Sequence, residues 1–110
     1  MITVSLVLFA VAAIVGVAMA VRLLRKQQLA WGSTIVHGAA AAAALVLVLL
    51  AFLRGETRLG TPLALFVVAA LGGFVLVSFH LRQKPHPIPL AVVHGLVAAT
   101  GFVLLLLAVI

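Results

Sequence analysis

Four imidazoles fall inside the long apolar stretches of this 110-residue chain or near their edges: His37, His80, His86 and His94. In such surroundings an imidazole can ligate a metal through a neutral ring nitrogen, carry a proton near neutral pH, or hydrogen-bond a helix carbonyl. His37 and His94 stand out because each occupies a Val-His-Gly triplet, Val36-His37-Gly38 and Val93-His94-Gly95. Glu56 is the only carboxylate side chain, and there is no cysteine. Disulfides, thiolate-bound zinc, iron–sulfur clusters and c-type haem attachment are therefore excluded. Any metal must be held by histidine, by oxygen ligands or within a prosthetic group.

The elements that position these residues follow from hydropathy. With 67% hydrophobic and 7% charged residues, the chain is far from the composition of a soluble domain. Apolar runs cover about Ile2–Leu24, Ala30–Leu53, Leu63–Leu81 and Ile88–Ile110, each long enough to span a bilayer at about 20 residues per crossing. The chain is thus expected to be an all-α, multi-pass integral membrane protein of one domain, residues 1–110. Ala18-Met19-Ala20 resembles a signal-peptidase site, but no Lys or Arg precedes the first run, so a retained helix is expected. The seven Lys and Arg residues lie in the connections rather than on one basic face, which argues against nucleic acid despite the formal charge of +6. Arg22, Arg25, Lys26, Arg82 and Lys84 flank the first and third connections, whereas Arg54 and Arg58 share the second with Glu56. The positive-inside bias then places the first and third loops in the cytoplasm and both termini on the other side, with a bacterial inner membrane as the expected location.

Residues 4–53 align with 61–110 without a gap at an offset of 57, the separation of Phe9 from Phe66, and 19 of the 50 pairs are identical. Composition alone would give roughly 7. Each half carries two spans, so the expected architecture is two tandem helical hairpins in parallel repeat, with a pseudo-twofold axis along the membrane normal. Short loops favour an up-down-up-down bundle in which the second and fourth helices are diagonal.

In that bundle His37 and His94 lie at equal depth and can meet at the axis. Small residues recur at helical spacing near them: Ala13, Gly16 and Ala20, Ala41 and Ala44, Ala70 and Gly73, Ala98 and Gly101. Such stripes allow close helix packing or leave room for a flat ligand. Two facing histidines with small neighbours suit the axial ligation of haem b, with His37 and His94 as metal ligands and Ala41, Ala98 and Gly101 beside the porphyrin. The alternative is that the two imidazoles bond each other, a helix carbonyl, or Ser33 and Thr34. His80, whose counterpart is Leu23, is expected to face inward at the cofactor's cytoplasmic edge. Arg25 and Arg82 lie where they could pair with propionates, although interfacial arginines are expected there for topology alone. His86, among prolines 85, 87 and 89, reads as a solvated loop residue.

On the number of spans, His37, His94 and their small neighbours, the chain resembles the four-helix membrane b-type cytochromes. That resemblance implies a haem protein exchanging electrons with a quinone or a larger membrane complex. Members with two haems need four ligands at two depths, and no histidine lies near the noncytoplasmic side, so one haem near the cytoplasmic side is expected, without independent catalytic activity. Length and span count also resemble the small multidrug transporters, which rely on a glutamate in the first helix that this chain lacks. A non-catalytic accessory subunit of a larger membrane complex and, behind it, a small proton-coupled transporter are the competing readings, and a homo-oligomer is a further expected partner state. Trp31 and the featureless outer faces suit the first of them equally well.

Overall fold

The computed structural model describes residues Met1–Ile110 as four long helices and one short turn of 3₁₀ helix. The helices are α1 (Ile2–Leu24), α2 (Trp31–Leu53), α3 (Gly60–Leu81) and α4 (Ile88–Val109), with the 3₁₀ turn at Thr57–Leu59. All four are long and apolar enough to cross a membrane, the signature of a multi-pass membrane protein. At 1.5 Å per residue, 22 to 23 residues give about 34 Å, enough for a hydrocarbon core of about 30 Å. The molecule is 42 Å long and 21 Å across in both other directions. In lipid a helix is the economical solution because it satisfies its own backbone polar groups.

Helix boundaries have local causes. Gly60 begins α3 three residues before the apolar run itself, because the 3₁₀ turn feeds straight into it. Pro62 is tolerated there because a residue of the first turn has no helical acceptor for the N–H it lacks. Each connection leaves its helix through a residue at positive φ: Lys26 (55°), Gly55 (103°) and Gln83 (55°). Backbone bonds close these ends in the same way. Gln27 N–H donates to the Arg22 carbonyl at 2.8 Å, Glu56 N–H to Ala51 at 3.2 Å, and Lys84 N–H to Phe79 at 2.9 Å.

The helices form an up-down ring in which α1 packs on α2 and α4, and α3 packs on α4 and α2. Across the diagonals no Cα atoms come within 8 Å, so only side chains bridge the centre. Phe9 of α1 and Phe66 of α3 do so as stacked rings, 3.8 Å between centres. His37 of α2 and His94 of α4 do so edge to face, 6.1 Å between centres.

Packing divides this ring along its length. All 12 buried residues lie toward the end that carries the termini and the Thr57–Leu59 turn, among them Val48, Leu59 and Leu105 with no exposed surface. Ser5 is buried there too, and its hydroxyl donates to the Ala44 carbonyl at 3.0 Å. The other half, ending in the two Arg- and Lys-rich loops and called here the basic end, contains no buried residue and surrounds a partly open cavity instead.

Candidate functional site

The cavity has a volume of about 670 Å³ and a floor formed by Phe9 and Phe66. Its 31 lining residues form fifteen pairs separated by 57 positions, with Val103 left over. His37 and His94 are one such pair, and each is seated in the same way on the helix before it in the chain. His37 Nδ1 lies 2.8 Å from the Ala12 carbonyl, and His94 Nδ1 lies 2.8 Å from the Ala69 carbonyl. A carbonyl only accepts, so both Nδ1 atoms carry the proton, and both Nε2 atoms keep a lone pair.

Glycine makes this seating possible. A methyl group at Gly16 would stand 3.0 Å from His37 Cε1 and 3.2 Å from its Nδ1. The same addition at Gly73 would stand 3.2 Å from His94 Cε1. Gly16 and Gly73 therefore serve as rests for imidazoles. The helix-carbonyl bond expected as the alternative to ligation is therefore present at both histidines, and it occupies Nδ1 only.

Other expected site residues are distributed unevenly. Ala41, Ala98 and His80 line the cavity with the two central histidines. Gly101 does not, because it is buried in the packed half, where an added methyl would meet Phe66 Cε1 at 3.2 Å. Arg25 and Arg82 lie outside the cavity as well. Arg82 bonds the Ser78 carbonyl through Nε at 3.1 Å and lies over the Phe79 ring at 4.6 Å.

A second constellation closes the basic end of the cavity. His80 stacks on Trp31 with 3.7 Å between ring centres and an interplanar angle of 7°. Its Nδ1 lies 3.2 Å from the Thr34 hydroxyl, across from α3 to α2. His86 is half-buried rather than solvated and meets His80 edge-on at 5.5 Å. That partial burial holds the His86 imidazole below its usual pKa, and the charge of His80 acts in the same direction. Sequence spacing alone does not bring Trp31, Thr34 and His86 into one site. The available signal was the place where the repeat breaks, since Leu23 and Leu29 stand where the second half has His80 and His86.

No cluster of three or more His, Cys, Asp or Glu side chains forms anywhere in the molecule. The central pair can therefore offer two nitrogen ligands and no more. Comparison with family models, curated proteins and solved structures finds no match to this chain.

Proposed function

We propose that this chain is an electron-transfer protein of the membrane that holds one b-type haem between His37 and His94. The observation that carries the reading is the equivalent seating of the two imidazoles, each with Nδ1–H on a carbonyl and Nε2 free. Such second-shell bonds fix the tautomer and orientation of a ligating histidine. The two rings lie 6.1 Å apart between centres, a separation at which the pair could approach one metal ion. Two protein ligands are too few for bare zinc, which takes three or four, but suffice for a metal whose equatorial positions are already filled. When bound, such a group would supply one-electron chemistry, with His37 and His94 as the residues that would hold it.

The protein's own part is to orient and to exclude water. Gly16 and Gly73 let the imidazoles lie against α1 and α3, while Ala41 and Ala98 keep the walls thin. Phe9 and Phe66 close the floor. In this reading the two halves are tandem hairpins related by a pseudo-twofold axis along the membrane normal, and the paired lining of the cavity supports it. Gly101 has a packing role rather than a place beside the porphyrin. The electron partner is a quinone or a larger membrane complex.

The test is a reduced-minus-oxidised spectrum of protein purified after expression with adequate haem. Wild type should show a Soret band, and His37→Ala or His94→Ala should leave a weakly held, five-coordinate haem. A wild-type protein with no Soret band after reconstitution would make the accessory-subunit reading the better one. We further propose that the basic end faces the cytoplasm of a bacterial cell and both termini face away, on the charge asymmetry between loops. Cysteines introduced at Gln27 and Gln83 should then resist an impermeant reagent in intact cells, and labelling there would invert the topology.

A further inference from the structure

The basic end carries a second cavity, of about 980 Å³, between the α1–α2 and α3–α4 loops. Each loop contributes a lysine and a glutamine to its lining, in opposite order: Lys26-Gln27 from the first and Gln83-Lys84 from the second. The offset of 57 sets Lys26 on Gln83 and Gln27 on Lys84, so the repeat preserves the positions and exchanges the charges. Two ammonium groups from two loops therefore line one concavity, with amide donors beside them. Gln28 adds a third amide from the first loop.

Nothing in the chain neutralises these two charges. Glu56, the only carboxylate side chain, pairs with Arg58 at 3.1 Å at the opposite end of the molecule. The neighbouring arginines are engaged with backbone: Arg22 Nε donates to the Gln28 carbonyl at 3.0 Å, and Arg82 Nε to the Ser78 carbonyl at 3.1 Å. The helices α2 and α4 start at Trp31 and Ile88, both in the cavity wall, and neither has an acid in its first turn, so two helix dipoles add to the lysines. An anion is the complement of this lining. Depth narrows the kind of anion. The 42 Å length of the molecule matches the roughly 40–45 Å of a bilayer with its headgroups, so a cavity at one end lies in the headgroup layer. Leu23, Leu24, Leu29 and Ile88 line the same cavity, an apolar side that a soluble anion would leave uncovered.

We infer that this cavity is a binding site for an anionic phospholipid, with the headgroup phosphate held between Lys26 and Lys84 and the start of the acyl chains on the leucines and Ile88. A basic recess between membrane helices suits such a headgroup. Lysine binds phosphate as a point charge on a flexible stem, so two from separate loops can close on one phosphate without the fixed geometry that arginine requires. The glutamine amides then donate to the remaining headgroup and ester oxygens. A zwitterionic lipid offers the same phosphate but sets a cation beside it, which two uncompensated lysines repel. Net negative charge is therefore what the site selects. A lipid held by both loops ties the two hairpins together at the end where the chain itself buries no side chain. The inference is independent of the haem reading and of the side of the membrane that the basic end faces.

The experiment places the full-length protein in phosphatidylcholine nanodiscs and reads the emission of Trp31, the only tryptophan, which lines the cavity. A small fraction of phosphatidylglycerol or of phosphatidylcholine, brominated on its acyl chains, is added as a contact quencher. Brominated phosphatidylglycerol should quench more than brominated phosphatidylcholine at equal fraction, and the excess gives the relative affinity. Lys26→Gln and Lys84→Gln should each lower that relative affinity about fivefold. Each substitution introduces the residue that the other half carries at the matching position, so the turn is kept, and circular dichroism checks folding. Arg25→Gln removes a charge from the same end but outside the cavity, and should leave most of the selectivity in place. Equal quenching by the two lipids in wild type, or selectivity that survives when both lysines are replaced, would overturn the site. An equal loss in Arg25→Gln would overturn it too, by showing diffuse attraction to the basic end. Excess quenching displaced by millimolar inorganic phosphate would assign the cavity to a free anion and overturn the lipid reading. Haem content is measured separately by its spectrum and decides only the preceding proposal.

Discussion

The far half of the bundle and its basic half are built from the same few apolar residue types, yet one is packed and the other hollow. Size at the helix interfaces makes the difference. In the far half, Phe9 and Phe66 stack across the diagonal while Val48, Leu59 and Leu105 fill the remaining space. In the basic half the inward positions include Gly16, Ala41 and their counterparts, which are too small to meet across the ring. A span in lipid gains little from apolar burial as such, because lipid tails are as apolar as leucine, so shape fit decides where helices hold together. Here that fit is concentrated at one end, and the other is free to hold a ligand.

The largest expected effect tests this division directly. Leu105→Ala removes a fully buried side chain from the packed half and should cost about 2–5 kcal/mol, whereas Val17→Ala in the hollow half should stay within about 0.5 kcal/mol. Reversible unfolding in mixed detergent micelles measures both. Equal losses would mean that the basic half contributes as much to stability as the far half, and the comparison would fail.

Much of this was legible before any coordinates, and what was not has a physical reason. Span number and limits follow from hydropathy, and the structural starts differ from the apolar runs by at most three residues, at Gly60. Pairing of His37 with His94 is expected from the offset of 57 together with the tendency of polar intramembrane residues to face the bundle interior, and the two rings do approach there. Placement of Gly101 did not follow. A small residue one or two turns from a histidine looks the same whether it borders a cavity or accepts an aromatic ring, and only the position of Phe66 distinguishes them. Trp31, Thr34 and His86 come together through two loops whose paths are set by backbone caps at Lys26 and Gln83, which hydropathy does not encode.

Glycine gives a sharper version of the same contrast. Gly101→Ala would bring a methyl within 3.2 and 3.3 Å of a Phe66 ring held in a stack and 3.4 Å from Leu65 Cβ. Overpacking of about 1–3 kcal/mol there should outweigh the roughly 1 kcal/mol that alanine gains in helix propensity. Gly16→Ala meets only the His37 ring, which can swing away into the cavity. Its stability should change little, while the bond from Nδ1 to the Ala12 carbonyl lengthens and the ¹⁵N shift of that nitrogen moves. Loss of stability without an altered His37 resonance in the first variant, and the reverse in the second, is the expected pattern.

The smallest effect concerns the loops that end the two halves. Gln83 holds φ at 55°, a left-handed conformation that costs a residue with a Cβ roughly 1–2 kcal/mol, and the same backbone bond pattern at the other end uses Gly55. Gln83→Gly relieves that strain but gives the unfolded chain more freedom, worth about 0.4–1 kcal/mol in the opposite direction. The net should be a gain of up to about 1 kcal/mol, and Gly55→Ala should lose a similar amount by the same reasoning with the sign reversed. Denaturation in detergent micelles measures both variants against wild type. A Gln83→Gly protein no more stable than wild type would show that the left-handed conformation carries little strain at this position.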